Sequence, residues 1–101
     1  MTDCSVSETT ASEMLNYGEL EALSEIKQYI ISTQTQHYTG TRLQTIDSVI
    51  DAGFGEGFCM GNIIKYCSRY GKKDGRNRKD LLKLIHYAII MLYLNTSTTA
   101  E

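Results

Sequence analysis

The chain of 101 residues has no proline and no tryptophan, and it has only two phenylalanines. Without proline, no residue removes a backbone donor or fixes φ in a way that interrupts a helix. The sequence also lacks a Val/Thr-rich alternating run of the kind that indicates β-strands. These absences predict an all-α fold, and the length is typical of a single domain.

Cysteine is scarce, and long apolar runs are missing. The three cysteines, Cys4, Cys59 and Cys67, are odd in number and lack the spacing of metal ligands; together with the absence of a signal peptide they indicate a reduced, cytoplasmic protein. Cys59 and Cys67 are predicted to be small buried side chains. The longest apolar run, 88–94, is too short to span a bilayer, so we expect no membrane association. HExxH and paired-cysteine motifs are also missing, so no metal site is predicted. The sequence has no Ser-His-Asp signature and no Walker loop either.

Charge is distributed unevenly along the chain. Residues 1–60 hold nine acidic and two basic side chains, whereas residues 61–87 hold eight basic and two acidic ones. The first segment therefore carries a net charge of −7 and the second +6, although the whole chain carries only −2. A concentrated positive charge raises the local potential at which an anionic ligand docks, and it permits contacts between acidic and basic surfaces of neighbouring subunits.

Helical periodicity divides the chain into a disordered tail (1–9), an acidic N-terminal helix (10–35), a helical domain (36–94) and a second tail (95–101). Thr10-Ala11-Ser12-Glu13 matches a capping box, and Asn16-Tyr17-Gly18-Glu19 is an alternative helix start. We expect about four helices, of which the last two form a hairpin. Their predicted spans are from about 19 to 31, from 43 to 52, from 58 to 70, and from 77 or 79 to 94.

The last two predicted helices carry apolar side chains at helical spacing. We expect an inward face on each of them. In the third helix this face consists of Met60, Ile63, Ile64 and Cys67, and in the fourth of Leu81, Leu82, Ile85, Ala88, Ile89 and Leu92. The fourth helix is apolar on its other side as well, and residues 37–94 are few for an independent core, so we expect homo-oligomerisation.

The polar side of the third helix gathers hydrogen-bond donors. Asn62, Lys65, Tyr66 and Arg69 fall on one face at roughly 100° per residue. An antiparallel hairpin places Asp80, Lys83 and Tyr87 of the next helix opposite them. A groove of this composition suits phosphate oxygens. The alternative is an ordinary solvated face on which Asp80 forms a salt bridge, and spacing alone does not decide between the two.

Two other polar segments have residues that are compatible with ligand binding. The loop between these helices is basic, with Lys72, Lys73, Arg76, Arg78 and Lys79; it is typical either of a polyphosphate or nucleic-acid contact or of a solvated loop. The pair His37–Tyr38 has the chemistry to stack on a base or to protonate a leaving oxygen, but alone it is more typical of an exposed dipeptide. His86 lies about 100° from Tyr87 around the helix, which favours a packing or surface role.

The order of these motifs resembles a family of small, largely uncharacterised phage proteins. Its best-known relatives are the nucleotide kinases of short-tailed coliphages, which lack a Walker loop. The resemblance covers residues 37 to about 94 and rests on His37-Tyr38, Phe58, Gly61-Asn62-x-x-Lys65-Tyr66-x-x-Arg69, Gly71-Lys72-Lys73-Asp74-Gly75, Asp80-Leu81-x-Lys83 and His86-Tyr87. The chain is shorter than the active kinases and has an additional N-terminal helix.

The resemblance implies phage origin, location in the cytoplasm of the infected host, oligomeric assembly and a nucleotide ligand. It marks as ligand-binding residues His37, Tyr38, Asn62, Lys65, Tyr66, Arg69, Lys72, Lys83 and Tyr87. Three of the residues it marks would be catalytic in a kinase: Lys65, Arg69 and Asp80. The expected cofactor is Mg²⁺ carried by the nucleotide.

Three functions follow from these observations. The first is a nucleotide-binding protein resembling nucleoside monophosphate kinases. The second is a non-catalytic sponge that sequesters cyclic nucleotide signals of host defence. The third, a nucleic-acid or host-protein binder, ranks last because the acidic N-terminal half repels a duplex.

Overall fold

The computed structural model describes residues 7–36 and 41–97, and within these ranges it contains helices and no strand. The all-α prediction is therefore confirmed. The described part has five helices where the sequence predicted about four. They are α1 (Glu8–Met14), α2 (Glu19–Gln36), α3 (Thr41–Asp51), α4 (Gly55–Arg69) and α5 (Arg78–Ser97).

The additional helix arises at the N-terminus. Ser7, and not Thr10, is the N-cap of α1, and its hydroxyl accepts a hydrogen bond from the Thr10 amide at 3.1 Å. α1 therefore already includes residues 8 and 9, which the sequence assigned to the tail. Gly18, with a φ of +67°, separates α1 from α2 in a conformation that glycine adopts without steric cost.

The second helix continues beyond the predicted end at Ile31. Ser32 and Thr33 lie within this extension, and their hydroxyls donate hydrogen bonds to the Tyr29 carbonyl, at 3.1 and 2.8 Å. Side chains that otherwise favour turns are thus satisfied within the helix. α2 packs on α5, where Ile26 is buried and the Tyr29 ring contacts His86 edge-on at 6.3 Å. His86 thus takes a packing role.

An ion pair joins the same two helices. The Arg78 guanidinium donates from Nε to Glu25 Oε2 at 2.6 Å and also from its second terminal nitrogen to Oε1. This hydrogen bond lowers the pKa of the Glu25 carboxyl. One basic residue of the interhelical loop region is consequently neutralised by the acidic N-terminal segment.

The most extensive helix contact lies between α4 and α5, which run antiparallel. Gly55 at the start of α4 lies against Leu94 near the end of α5, whereas Arg69 at the end of α4 pairs with Asp80 near the start of α5. The centre of this contact consists of two aromatic side chains and one small side chain. Three buried side chains form it: Cys59, Tyr66 and Tyr87. Partly buried apolar side chains surround them: Phe58, Ile63, Leu84, Ile90, Met91 and Leu94.

The predicted inward faces of α4 and α5 are largely wrong. On α4, Met60, Ile64 and Cys67 are exposed, and only Ile63 of the predicted set packs against the core cluster. On α5, four side chains of the predicted inward face are exposed, namely Ile85, Ala88, Ile89 and Leu92, and only Leu81 and Leu82 are partly buried. Of the two cysteines predicted to be buried, Cys59 is buried and Cys67 is exposed.

The reason lies in the composition of the two helices. Each carries apolar side chains on two sides, so periodicity alone does not decide which side meets the neighbouring helix. The contact forms on the side of Tyr66 and Tyr87, whose large rings contribute more buried area than the aliphatic side chains. The rings pack nearly parallel, with 6.3 Å between centroids and 14° between planes.

Two glycines of α4 provide a matched test of this packing. A Cβ on Gly55 would lie 3.0 Å from Ile50 Cγ1 and 3.1 Å from Leu94 Cδ1, whereas Gly57 has no atom within 4 Å of such a Cβ. We expect Gly55→Leu to lower the free energy of unfolding by about 1–3 kcal/mol through overpacking. Gly57→Leu should raise it by about 0.5 kcal/mol, because leucine favours the helix over glycine. Urea unfolding followed by circular dichroism measures both, and shifts of the same sign would contradict this packing.

Candidate anion-binding site

A tight loop brings the end of α4 back to the start of α5. Residues 70–77 reverse the chain through three positive φ angles, at Gly71 (+87°), Asp74 (+62°) and Gly75 (+67°), and the Gly71 amide donates to the Gly75 carbonyl at 2.8 Å. Glycine adopts this left-handed region freely, and aspartate is one of the few other residues that tolerate it. The reversal places the last turns of α4 beside the first turns of α5.

Three cationic side chains converge on one aromatic ring at this junction. The ring of Tyr66 has Lys65 Nζ at 4.8 Å from its centroid, Lys83 Nζ at 5.1 Å and the Arg69 guanidinium carbon at 5.4 Å. Cations over a tyrosine ring are attracted by its quadrupole. Any two of the three charges therefore lie within about 10 Å, roughly one Debye length at 0.1 M salt, where screening is incomplete.

A buried carboxylate, that of Asp80, accompanies the three cations. Asp80 is 3% exposed, and its Oδ1 lies 3.9 Å from Arg69 Nε, too far for a hydrogen bond. Within the described residues, neither Asp80 Oδ2 nor Arg69 Nε has a hydrogen-bond partner. The Arg69 side chain remains 32% exposed. The group formed by Lys65, Arg69, Lys83 and Asp80, here called the cationic cluster, thus carries a net charge of +2 and is partly open to ligands.

The structure brings together six of the residues singled out from the sequence. They are Lys65, Tyr66, Arg69, Asp80, Lys83 and Tyr87. Tyr66 and Tyr87 are buried, 7% and 8% exposed, so they support the cationic cluster from beneath and do not offer free ring faces.

Other predicted site residues are placed differently. The Asn62 side-chain amide donates to the Phe58 carbonyl at 2.9 Å, one turn earlier in α4. Lys72 is exposed in the loop after α4, where its backbone amide donates to the Arg69 carbonyl at 2.8 Å. His37 and Tyr38 lie outside the described residues.

Two contacts near the site were not predicted from the sequence. The Glu25–Arg78 pair joins residues 53 positions apart. Local sequence patterns do not predict an ion pair between residues so far apart in the chain. The edge-on contact of Phe58 with Tyr87, at 6.0 Å between centroids, positions the second tyrosine of the stacked pair. Phe58 is one of the residues on which the family resemblance rests, but its position in the sequence did not indicate which side chain it contacts.

The described residues contain no group of three His, Cys, Asp or Glu side chains arranged to hold a metal ion. The ammonium and guanidinium groups of the cationic cluster offer charge neutralisation and hydrogen-bond donation. None of the described helices combines the length and the apolar character needed to cross a bilayer.

Comparison with known proteins gives one match. No curated protein and no solved structure matches the chain. A family model described as a protein of unknown function, DUF3310, matches residues 32–89. This span covers more than half of the chain and includes α3, α4 and the part of α5 that carries Asp80, Lys83 and Tyr87. The chain therefore belongs to the DUF3310 family.

Proposed function

We propose that this protein binds nucleotides through their phosphate groups at the cationic cluster of the C-terminal helical hairpin. The observation that carries the proposal is the convergence of Lys65, Arg69 and Lys83 on the Tyr66 ring beside one carboxylate. Positive charges held this close repel one another, and a bound phosphate relieves the repulsion while accepting charge-assisted hydrogen bonds.

Each residue of the cationic cluster has a distinct part in this proposal. Arg69 offers a planar pair of donors for bidentate contact with two phosphate oxygens, and Lys65 and Lys83 act as mobile point charges. Asp80 is almost fully buried beside Arg69 Nε, so it orients the guanidinium and does not itself reach the ligand. The lysines are exposed or half-buried and thus free to follow the anion.

The resemblance to Walker-less phage nucleotide kinases points to nucleotides among the possible phosphate ligands, in the cytoplasm of an infected bacterial host. Base recognition by His37 and Tyr38 stays a prediction. Since Tyr66 and Tyr87 are buried, a base has no access to their faces. The nucleobase would therefore be held by other residues, and the hairpin would recognise the phosphates.

Binding and catalysis are separate steps of this proposal. In a kinase, the cationic cluster would stabilise the transferred phosphoryl group by position and charge, with Mg²⁺ arriving on the nucleotide. In a sponge for cyclic nucleotide signals of antiphage defence, the same donors would hold the ligand without turnover. The kinase is the first candidate because of the motif order, and the sponge is the alternative.

One experiment distinguishes these outcomes. The protein is titrated calorimetrically with nucleoside monophosphates, nucleoside triphosphates and cyclic nucleotides, and then incubated with monophosphate, triphosphate and Mg²⁺ while products are separated chromatographically. We expect saturable binding of at least one nucleotide class. Phosphoryl transfer identifies a kinase, and tight binding without products identifies a sponge. Absence of saturable binding, with steeply salt-dependent DNA binding instead, contradicts the proposal and favours the nucleic-acid binder.

Self-association is the second part of the proposal. Among the residues whose side chains the structure describes, four apolar side chains are buried: Ile26, Cys59, Tyr66 and Tyr87. Such a small core supplies little stabilisation against the conformational entropy of a chain of this size. Association of copies would bury further apolar area and offset that deficit.

A further inference from the structure

One side of the α4–α5 pair is apolar and is exposed in the part of the chain that the structure describes. On α4, Met60 and Ile64 are 45% and 60% exposed and Cys67 is exposed; on α5, Ile85 and Leu92 are 38% and 68% exposed and Ala88 is exposed. These six side chains are here called the outer face. The residues recur at intervals of three and four along each helix, so on each helix they form a continuous stripe.

Helical geometry places both stripes on the same side of the pair. Along each helix, residues advance by about 100°. On α4, the stripe and Lys65 lie on opposite flanks of the surface that contacts α5. On α5, the stripe and Lys83 lie on opposite flanks of the surface that contacts α4. Because the helices run antiparallel, the two stripes adjoin. The outer face therefore lies on the side of the hairpin away from the cationic cluster.

The outer face has the size of an apolar interaction surface. Its side chains present on the order of several hundred Å² of apolar area, comparable with the ~300–600 Å² of the largest apolar patch on a typical monomer, which is often functional. A standard protein interface buries ~800 Å² per partner, of which such a patch forms the apolar centre and polar residues form the rim. The outer face is thus large enough to bury against a second copy.

The distribution of charge around the outer face favours a second copy of the chain as the partner that covers it. The six side chains carry no charge, so two copies of this face meet without like-charge repulsion. The two ends of the hairpin differ in sign: Asp51 and Glu56 are exposed beside the start of α4, whereas the exposed loop after its end is net positive, since Lys72, Lys73 and Arg76 outnumber Asp74. An antiparallel two-fold arrangement brings the acidic end of each copy towards the basic end of the other, which makes the surface self-complementary.

We infer that the outer face is the interface of a two-fold symmetric homodimer in which the α4–α5 hairpins pack antiparallel. This inference rests on the self-association proposed above and adds its surface and symmetry. Both copies then keep their cationic clusters on the outside of the dimer. Ligand binding and dimerisation are therefore independent properties of opposite sides of the hairpin.

Sedimentation velocity over a wide range of protein concentration tests the inference. The wild type is expected to sediment with twice the protomer mass. Ile64→Glu places two like charges in the apolar interface and should raise the dissociation constant on the order of tenfold or more. The matched control is Leu23→Glu, because Leu23 is 61% exposed on α2 and lies outside the outer face; it should leave the dimer intact.

A second readout covers the case in which Ile64→Glu does not fold. In a Cys4→Ser background, Cys67 is the exposed thiol among the described residues, whereas Cys59 is buried. Its rate of labelling by a maleimide should fall several-fold as protein concentration rises and the dimer forms. Labelling that is independent of concentration overturns the inference.

The outcomes separate the two proposals. A wild type that stays monomeric at millimolar concentration overturns both self-association and the outer face as its surface. An assembly that Ile64→Glu leaves intact, in a variant whose circular dichroism shows it folded, overturns the surface while self-association stands. A dimer lost in Ile64→Glu and retained in Leu23→Glu supports both.

Discussion

Replacing Arg69 with alanine is expected to weaken nucleotide binding by about ten- to a hundred-fold. The substitution removes the one side chain of the cationic cluster that can hold two phosphate oxygens at once, and a hydrogen bond to a charged group contributes about 1.5–3 kcal/mol. The same change leaves Asp80 buried without its cation, so part of the loss arises from a carboxylate that now repels the anion. Isothermal titration calorimetry measures the effect directly.

Two comparisons make the Arg69→Ala result specific. Lys27→Ala removes one positive charge from the exposed surface of α2 and should change affinity by less than about twofold, since a distant exposed charge is screened. Lys72→Ala removes a charge from the exposed loop next to the cationic cluster and should have an intermediate effect. Equal losses in all three variants would indicate a diffuse electrostatic attraction and would contradict a defined phosphate site at Arg69.

Replacing Tyr87 with alanine is expected to have the largest effect on stability. The ring is 8% exposed and contacts both Tyr66 and Phe58, so its removal leaves a cavity at the centre of the α4–α5 contact. Truncation of a large buried aromatic side chain costs about 3–5 kcal/mol. Because few of the described side chains are buried, this loss is a large part of the total stability. We expect the variant to be largely unfolded at 37 °C in a thermal melt followed by circular dichroism.

The matched control for this prediction is Tyr17→Ala. Tyr17 lies between α1 and α2 and is 85% exposed, so the same chemical change should shift the free energy of unfolding by no more than about 0.5 kcal/mol. If Tyr87→Ala were as stable as Tyr17→Ala, the aromatic contact between α4 and α5 would not be the core of the fold.

The candidate site was predictable from the sequence because it depends on short-range geometry. Once α4 and α5 are helices, the spacing of Lys65 and Arg69 and that of Asp80 and Lys83 fix their relative positions on each helix. Gly71 and Gly75 then supply the reversal that brings the two sets together. The position of the Tyr66 ring beneath the three cations was not predicted, because the sequence placed this side chain on the ligand-binding face.

The core was not predictable in the same way. Both α4 and α5 carry apolar side chains on more than one side, and the helical wheel favoured the aliphatic sides with Ile64 and Leu92. The two helices meet instead through Tyr66 and Tyr87, residues that the sequence assigned to the polar faces. A tyrosine is compatible with a polar face and with a core, and only the partner helix decides between them.

The helix boundaries of the N-terminal segment were also not predictable from the sequence. Thr10–Glu13 and Asn16–Glu19 both matched helix starts, and the structure places the cap of α1 at Ser7 instead. The extension of α2 includes Ser32 and Thr33, whose hydroxyls donate hydrogen bonds to the Tyr29 carbonyl. Such local competition between turn and helix is decided by a few hydrogen bonds, which residue preferences do not specify.

The most direct test of the phosphate site is a two-dimensional ¹⁵N–¹H correlation spectrum recorded while a nucleoside monophosphate is added to the protein. We expect the backbone amide signals of residues 65–69 and 80–83 to shift together and saturate, whereas those of α1 and α2 do not move. Shifts confined to the loop residues 71–77, or no saturable shift at any residue of α4 and α5, would contradict a phosphate site at the cationic cluster.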